Sequence, residues 1–197
     1  SDPAEGIIEI SGDITAPLRA LVALTREQQP GALDAAGLPF DPDLITGAAD
    51  LGLVATIRVD NRADGHPLDV DYVVNGTVAD FASSQPIQDR HIGKGQLSLT
   101  ATQESYQLGG TAEIDGMPVE LEITGTPTTD PAIRIASSID VAELARMGFD
   151  VSEFLTGRVR FVAQPLAGGA LAMAIDLKDA ALNISDIGVR KSAGTSG

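Results

Sequence analysis

Apolar and polar residues alternate along this chain with few errors over long stretches, most clearly between residues 96 and 123. Leu97, Leu99 and Ala101 alternate with Gln96, Ser98, Thr100 and Thr102, and Val119, Leu121 and Ile123 alternate with Glu120 and Glu122. Successive side chains of a strand point to opposite faces, so this period builds a sheet with one greasy and one wet face. Further period-two segments are Glu5–Ser11 (Ile8 and Ile10 on one face), Leu51 to Val59, and Val70 through Asn75-Gly76 towards Phe81. A meander of 95–103, 105–114 and 118–125 follows, then Ala132–Ala136 and two last strands at about 157–165 and 169–184. Asp115-Gly116, between Ile114 and Met117-Pro118, predicts a tight hairpin whose turn residues take positive φ.

The period shifts to that of a helix in two places. After Gly12-Asp13, Leu18, Leu21, Val22 and Thr25 recur at helical spacing, with Thr15 as the expected cap and Pro17 in the first turn. Pro30-Gly31 ends this helix, and Ala32–Ala36 reads as one more short turn. Asp140-x-x-Glu143 is a capping box for a short helix through Val141, Leu144 and Ala145 that stops at Gly148. The segments 60–67 and 83–94 read as connections. The predicted fold class is therefore mainly β: a curved, elongated antiparallel sheet, groove-like, with two or three short helices.

One stretch has an echo. Gly37 and Phe40-Asp41-Pro42-Asp43-Leu44-Ile45-Thr46-Gly47 resemble Gly148-Phe149-Asp150 and Glu153-Phe154-Leu155-Thr156-Gly157. Each copy follows a helix and feeds a period-two strand, which suggests two related helix-then-sheet units, about 12–125 and 132–191.

Composition narrows the function classes. The net charge is −15, which argues against nucleic acid and against a basic anchor on anionic lipid. The chain has no Cys, which removes disulfides and thiolate chemistry. Trp is absent and aromatics make up 4%, so the core is built from Val, Ile, Leu and Ala, as suits a thin sheet. No apolar run reaches the roughly 20 residues of a membrane-spanning helix. The chain opens on Ser1 with no signal peptide, and the expectation is a piece, 1–197, of a larger β-rich protein.

Catalytic and metal motifs are weak. Asp60-Asn61-Arg62-Ala63-Asp64-Gly65 superficially resembles a calcium loop, but Arg62 stands where an oxygen ligand is required. His66 and His91 lie in polar connections without partners for metal binding or base catalysis. Glu113, Glu120 and Glu122 fall on the polar face, where solvation explains them. Two glycosylation sequons, at Asn75 and Asn183, are short enough to arise by chance. Gly109-Gly110 inside a strand pattern marks a bulge or a close backbone approach. The reading is no enzyme, no metal and no cofactor.

Three places carry a family likeness: Thr111-Ala112-Glu113-Ile114-Asp115-Gly116-Met117-Pro118, the passage Leu144 to Gly157, and Asp176-Leu177-Lys178-Asp179-Ala180-Ala181-Leu182 with the following Lys191-x-x-Gly194. With them the chain resembles the AsmA-like superfamily of bacterial envelope proteins, close to its YhdP and TamB group. The resemblance implies a long periplasmic β-structure anchored in the inner membrane. It implies a groove of apolar side chains that carries phospholipid acyl chains towards the outer membrane. The residues expected to line it are Leu97, Leu99, Val119, Leu121, Ile123, Phe161, Leu171, Met173 and Ile175. Implied partners are phospholipid, neighbouring segments of the parent chain and envelope proteins, with no nucleic acid. The alternative is a structural or assembly module of the envelope acting through its sheet edges. A conduit requires the apolar face to stay open. A module has it plugged by Leu18, Leu21, Val22 and Leu144, and an enzyme needs a pocket with convergent carboxylates or His91.

Overall fold

A computed structural model describes residues 5–28, 41–60, 68–86, 90–165 and 171–195. Eleven strands form one open antiparallel sheet. They are β1 (Glu5–Pro17), β2 (Ile45–Asp60), β3 (Leu68–Ser83), β4 (Ile92–Thr102), β5 (Tyr106–Ile114), β6 (Met117–Gly125), β7 (Ala132–Asp140), β8 (Leu155–Pro165), β9 (Leu171–Asp176), β10 (Ala180–Ile184) and β11 (Val189–Lys191). Strands β1 to β8 pair strictly with their sequence neighbours, and β9 and β10 share the far side of β8. Helix α1 (Leu18–Gln28) follows β1, helix α2 (Val141–Arg146) follows β7, and a 3-10 turn covers Ser185–Ile187. The mainly β, curved sheet with short helices expected from the alternation is what the chain forms.

Local signals set many boundaries. Asp115 and Gly116 take φ of 52° and 81°, the paired positive values of the tight hairpin between β5 and β6. Asp140 caps α2 by accepting a hydrogen bond from the Ala142 N–H at 2.9 Å. Other boundaries differ from the sequence reading. Gly12-Asp13 does not end β1, because thirteen consecutive residues pair with β2 and the ladder overrides the turn signal. Thr15 therefore stands in the strand and its hydroxyl donates to Asp50 instead of capping α1, and Pro17 is the last strand residue. The expected final strand is broken at Leu177–Asp179 into β9 and β10. Pro30-Gly31, Ala32–Ala36, the Asp60–Gly65 loop beyond residue 60, and His66 lie outside the described residues.

Alternate strands run in the same direction, so the ends of β1 and β7, where the two helices start, lie at one end of the sheet. At that end β-bulges cross β2 to β5, between Thr46 and Ala48, Val78 and Phe81, and Gly93 and Gln96. Bulges bend strands, and this line of them lies at the end of the sheet where α1 packs. Val22 of α1 is buried with Ile45, Ala49, Val78, Phe81 and Leu97, while Leu18 and Leu21 pack alongside. A second cluster joins Val141 of α2 to Leu155, Val159 and Ala180.

The two echoing segments have matching geometry. Asp41 and Asp150 each accept, through the side chain, from the N–H two residues on. The Leu44 carbonyl accepts from the Ser84 N–H and the Phe154 carbonyl from the Asn183 N–H. Ile45 and Leu155, next in each chain, are core residues. Gly47 and Gly157 both take positive φ, facing the backbone carbonyls of Ala79 and Asp179.

Candidate functional site

Directly paired residues of neighbouring strands share a face, so the register shows what each face carries. One row runs Ala16, Ala49, Val78, Leu97, Gly110, Leu121, Ile135, Ala163, Met173 across nine strands, and no member is polar. Two residues away along the strands, a second row runs Ile14, Leu51, Gly76, Leu99, Leu108, Ile123, Ile133. On the other side of the first row, Ala112 pairs Val119, and Ser137, Phe161 and Ile175 are aligned. The intervening row is Thr15, Asp50, Thr77, Ser98, Gly109, Glu122, Arg134, and it belongs to the opposite, wet face. Nine strands at a spacing of about 4.8 Å make the apolar face roughly 38 Å wide.

Every residue expected to line a groove is on this face by register. Their environments differ. Leu97 and Val119 are buried, and Leu97 belongs to the cluster under α1. Leu99, Leu121, Ile123 and Phe161 are half-buried, whereas Met173 and Ile175 are 55% and 60% exposed. Leu171 pairs with Pro165 in the ladder. Ser137 is the one polar side chain among the aligned residues of the apolar face named above; it is buried and its hydroxyl donates to the Pro118 carbonyl at 2.6 Å, so it presents no unsatisfied group.

The same face extends over β1 to β3 and β7 through Ile8, Ile10, Leu53, Tyr72, Val74 and Ile135, none of them in the expected lining set. The period-two signal of these strands was visible in the sequence; what joins them to the meander is register. Tyr72 and several β1 isoleucines are exposed. The plug covers only part of the face: Leu18, Leu21 and Val22 sit over β2 to β4, and Leu144 is half-buried outside both clusters. The accessible surface is 12900 Å², against about 8,800 Å² for a compact monomer of 20.3 kDa.

The wet face carries two shallow depressions, of about 400 and 390 Å³, that share Thr111, Glu120 and Arg134. Among the described residues no group of three or more His, Asp or Glu is placed to hold a metal ion. His91 is exposed, and its backbone N–H donates to Asp115 Oδ1 at 2.9 Å. The Arg90 guanidinium and that N–H hold the Asp115 carboxyl below the usual carboxylate range. This constellation fastens the β5–β6 turn at the surface. No helix among the described residues is long and apolar enough to cross a membrane. No family model matches the chain, and neither does any curated protein or solved structure.

Proposed function

We propose that this chain is a segment of a non-enzymatic conduit that carries phospholipid acyl chains along the apolar face of its sheet, in the periplasm between inner and outer membrane. The observation that carries the reading is the nine-strand row from Ala16 to Met173, apolar at every position and only partly covered by helix. Each methylene moved from water to such a surface gains about 0.8 kcal/mol, so a continuous stripe holds an alkyl chain without polar recognition. A stripe of this kind also lets the chain slide, since no position binds much better than the next. The parent protein is anchored in the inner membrane, and neighbouring segments of it extend the path.

The test is photo-crosslinking in living cells with a photoreactive residue at 121 in one variant and at 120 in another. Leu121 is on the apolar face and Glu120, its neighbour in β6, is on the wet face. Lipid adducts at 121 and none at 120 are the expected result. Adducts at neither position in a folded protein sink the conduit and favour the second reading, a structural or assembly module. That reading has its own observation: among the described residues β1, β9 and β11 each have a ladder partner on one side only, leaving strand edges able to accept another strand.

A further inference from the structure

The two helices differ in how their ends are closed and in which part of the sheet they cover. Helix α2 is locked at its start by the Asp140 cap, and at its end by N–H groups of Gly148 and Phe149 donating to Ala145 and Leu144 carbonyls. Val141, its first residue, is 2% exposed. Helix α1 begins directly after Pro17, the last paired residue of β1. Among the described residues no side chain caps its first turn, and no hydrogen bond or ion pair ties an α1 side chain to the sheet. The one polar side-chain bond in α1, Thr25 Oγ1 to the Leu21 carbonyl at 3.0 Å, stays within the helix. What holds α1 in place is Leu18, Leu21 and Val22 against Ile45, Ala49, Val78, Phe81 and Leu97. Its outer side carries Leu24, 53% exposed.

These contacts are of the same kind an alkyl chain makes, non-directional and proportional to apolar area, and they occupy one end of the Ala16–Met173 row. We propose that α1 is a displaceable cover: it fills the helix end of the apolar face when that face is empty and yields it to alkyl chains when they arrive. This inference rests on the reading of the face as a lipid path. The swing takes place at the junction of Pro17 and Leu18, where a strand fixed by its ladder meets a helix without a cap. Helix α2 stays seated, because its contacts are with Leu155, Val159 and Ala180, outside the Ala16–Met173 row.

The experiment measures amide hydrogen exchange of the chain with and without myristoyl-lysophosphatidylcholine below its critical micelle concentration. The expected result is severalfold faster exchange in Leu21–Gln28 and slower exchange in β4 to β6, with α2 unchanged. Slower or unaltered exchange in α1 while β4 to β6 slow down overturns the cover and leaves the lipid path standing. No change in β4 to β6 and no binding overturn the lipid path, and the cover with it. A second measurement uses Val22→Asp, which removes the competitor, beside Leu24→Asp as a control on the outer side of the helix. Val22→Asp is expected to bind the same probe severalfold tighter with its strand circular-dichroism signal intact, and Leu24→Asp to bind as the parent does. Weaker binding by Val22→Asp, or loss of its strand signal, makes α1 a fixed part of the core and overturns the proposal.

Discussion

At the scale of single residues, backbone approach and local charge decide outcomes that side-chain type alone does not. Gly110 is in the middle of the apolar row with φ of 151°, and a Cβ there would lie 2.0 Å from the Gln96 carbonyl oxygen. Gly110→Ala is therefore expected to cost roughly 2–3 kcal/mol, from strain plus the separation of β4 from β5, as read by denaturant unfolding. The glycine pair reads in the sequence as a bulge or a close backbone approach; which of the two, and the strand it approaches, came from the structure. Asp115 gives a pH prediction. Its carboxyl is held low by Arg90 and the His91 N–H, so it binds protons less readily folded than unfolded. The stabilisation it provides is complete above the unfolded value of about 3.9 and is lost as the pH falls through the lower, folded value. In an NMR titration, Arg90→Gln is expected to raise the Asp115 value towards that of a free carboxylate. An unchanged titration would remove Arg90 as the cause.

At the scale of elements, boundaries followed local chemistry where no partner competed. The Asp140 cap is such a case: Asp140→Ala is expected to cost about 1 kcal/mol, and to raise hydrogen exchange in α2 before it affects β4 or β5. Where a partner strand competed, it won. Gly12 pairs with Leu53 and Asp13 with Gly52, so β1 runs through a sequence that reads as a turn. Thr15 has the chemistry of a cap but donates to Asp50 across the ladder. The echoing segments lie between these cases. Each Asx turn is local, at Asp41 and Asp150, while the burial of Ile45 and Leu155 after it depends on the helix and strands around it.

At the scale of the whole molecule, the described residues form one sheet with an incomplete second layer. Such a molecule is expected to enhance the fluorescence of Nile red in its native state, with far-ultraviolet dichroism unchanged by the dye. Leu99→Asp, on the apolar face, is expected to cut that enhancement, and Thr100→Asp, one residue on and on the wet face, to leave it. Equal enhancement in both variants would mean that the dye binds elsewhere. Period-two alternation by itself determined the strands, their two-faced character and which residues of one strand share a face, Leu97 with Leu99 and Val119 with Leu121 and Ile123, because side chains of a strand must alternate in direction. Only the tertiary structure decided that β1 to β3 and β7 to β9 continue that face, since register is a property of paired chains. It also decided that Leu97 and Val119 are buried while Met173 and Ile175 are exposed. Exposure depends on what covers a face, and the α1 cluster takes in Leu97 but not Met173 or Ile175.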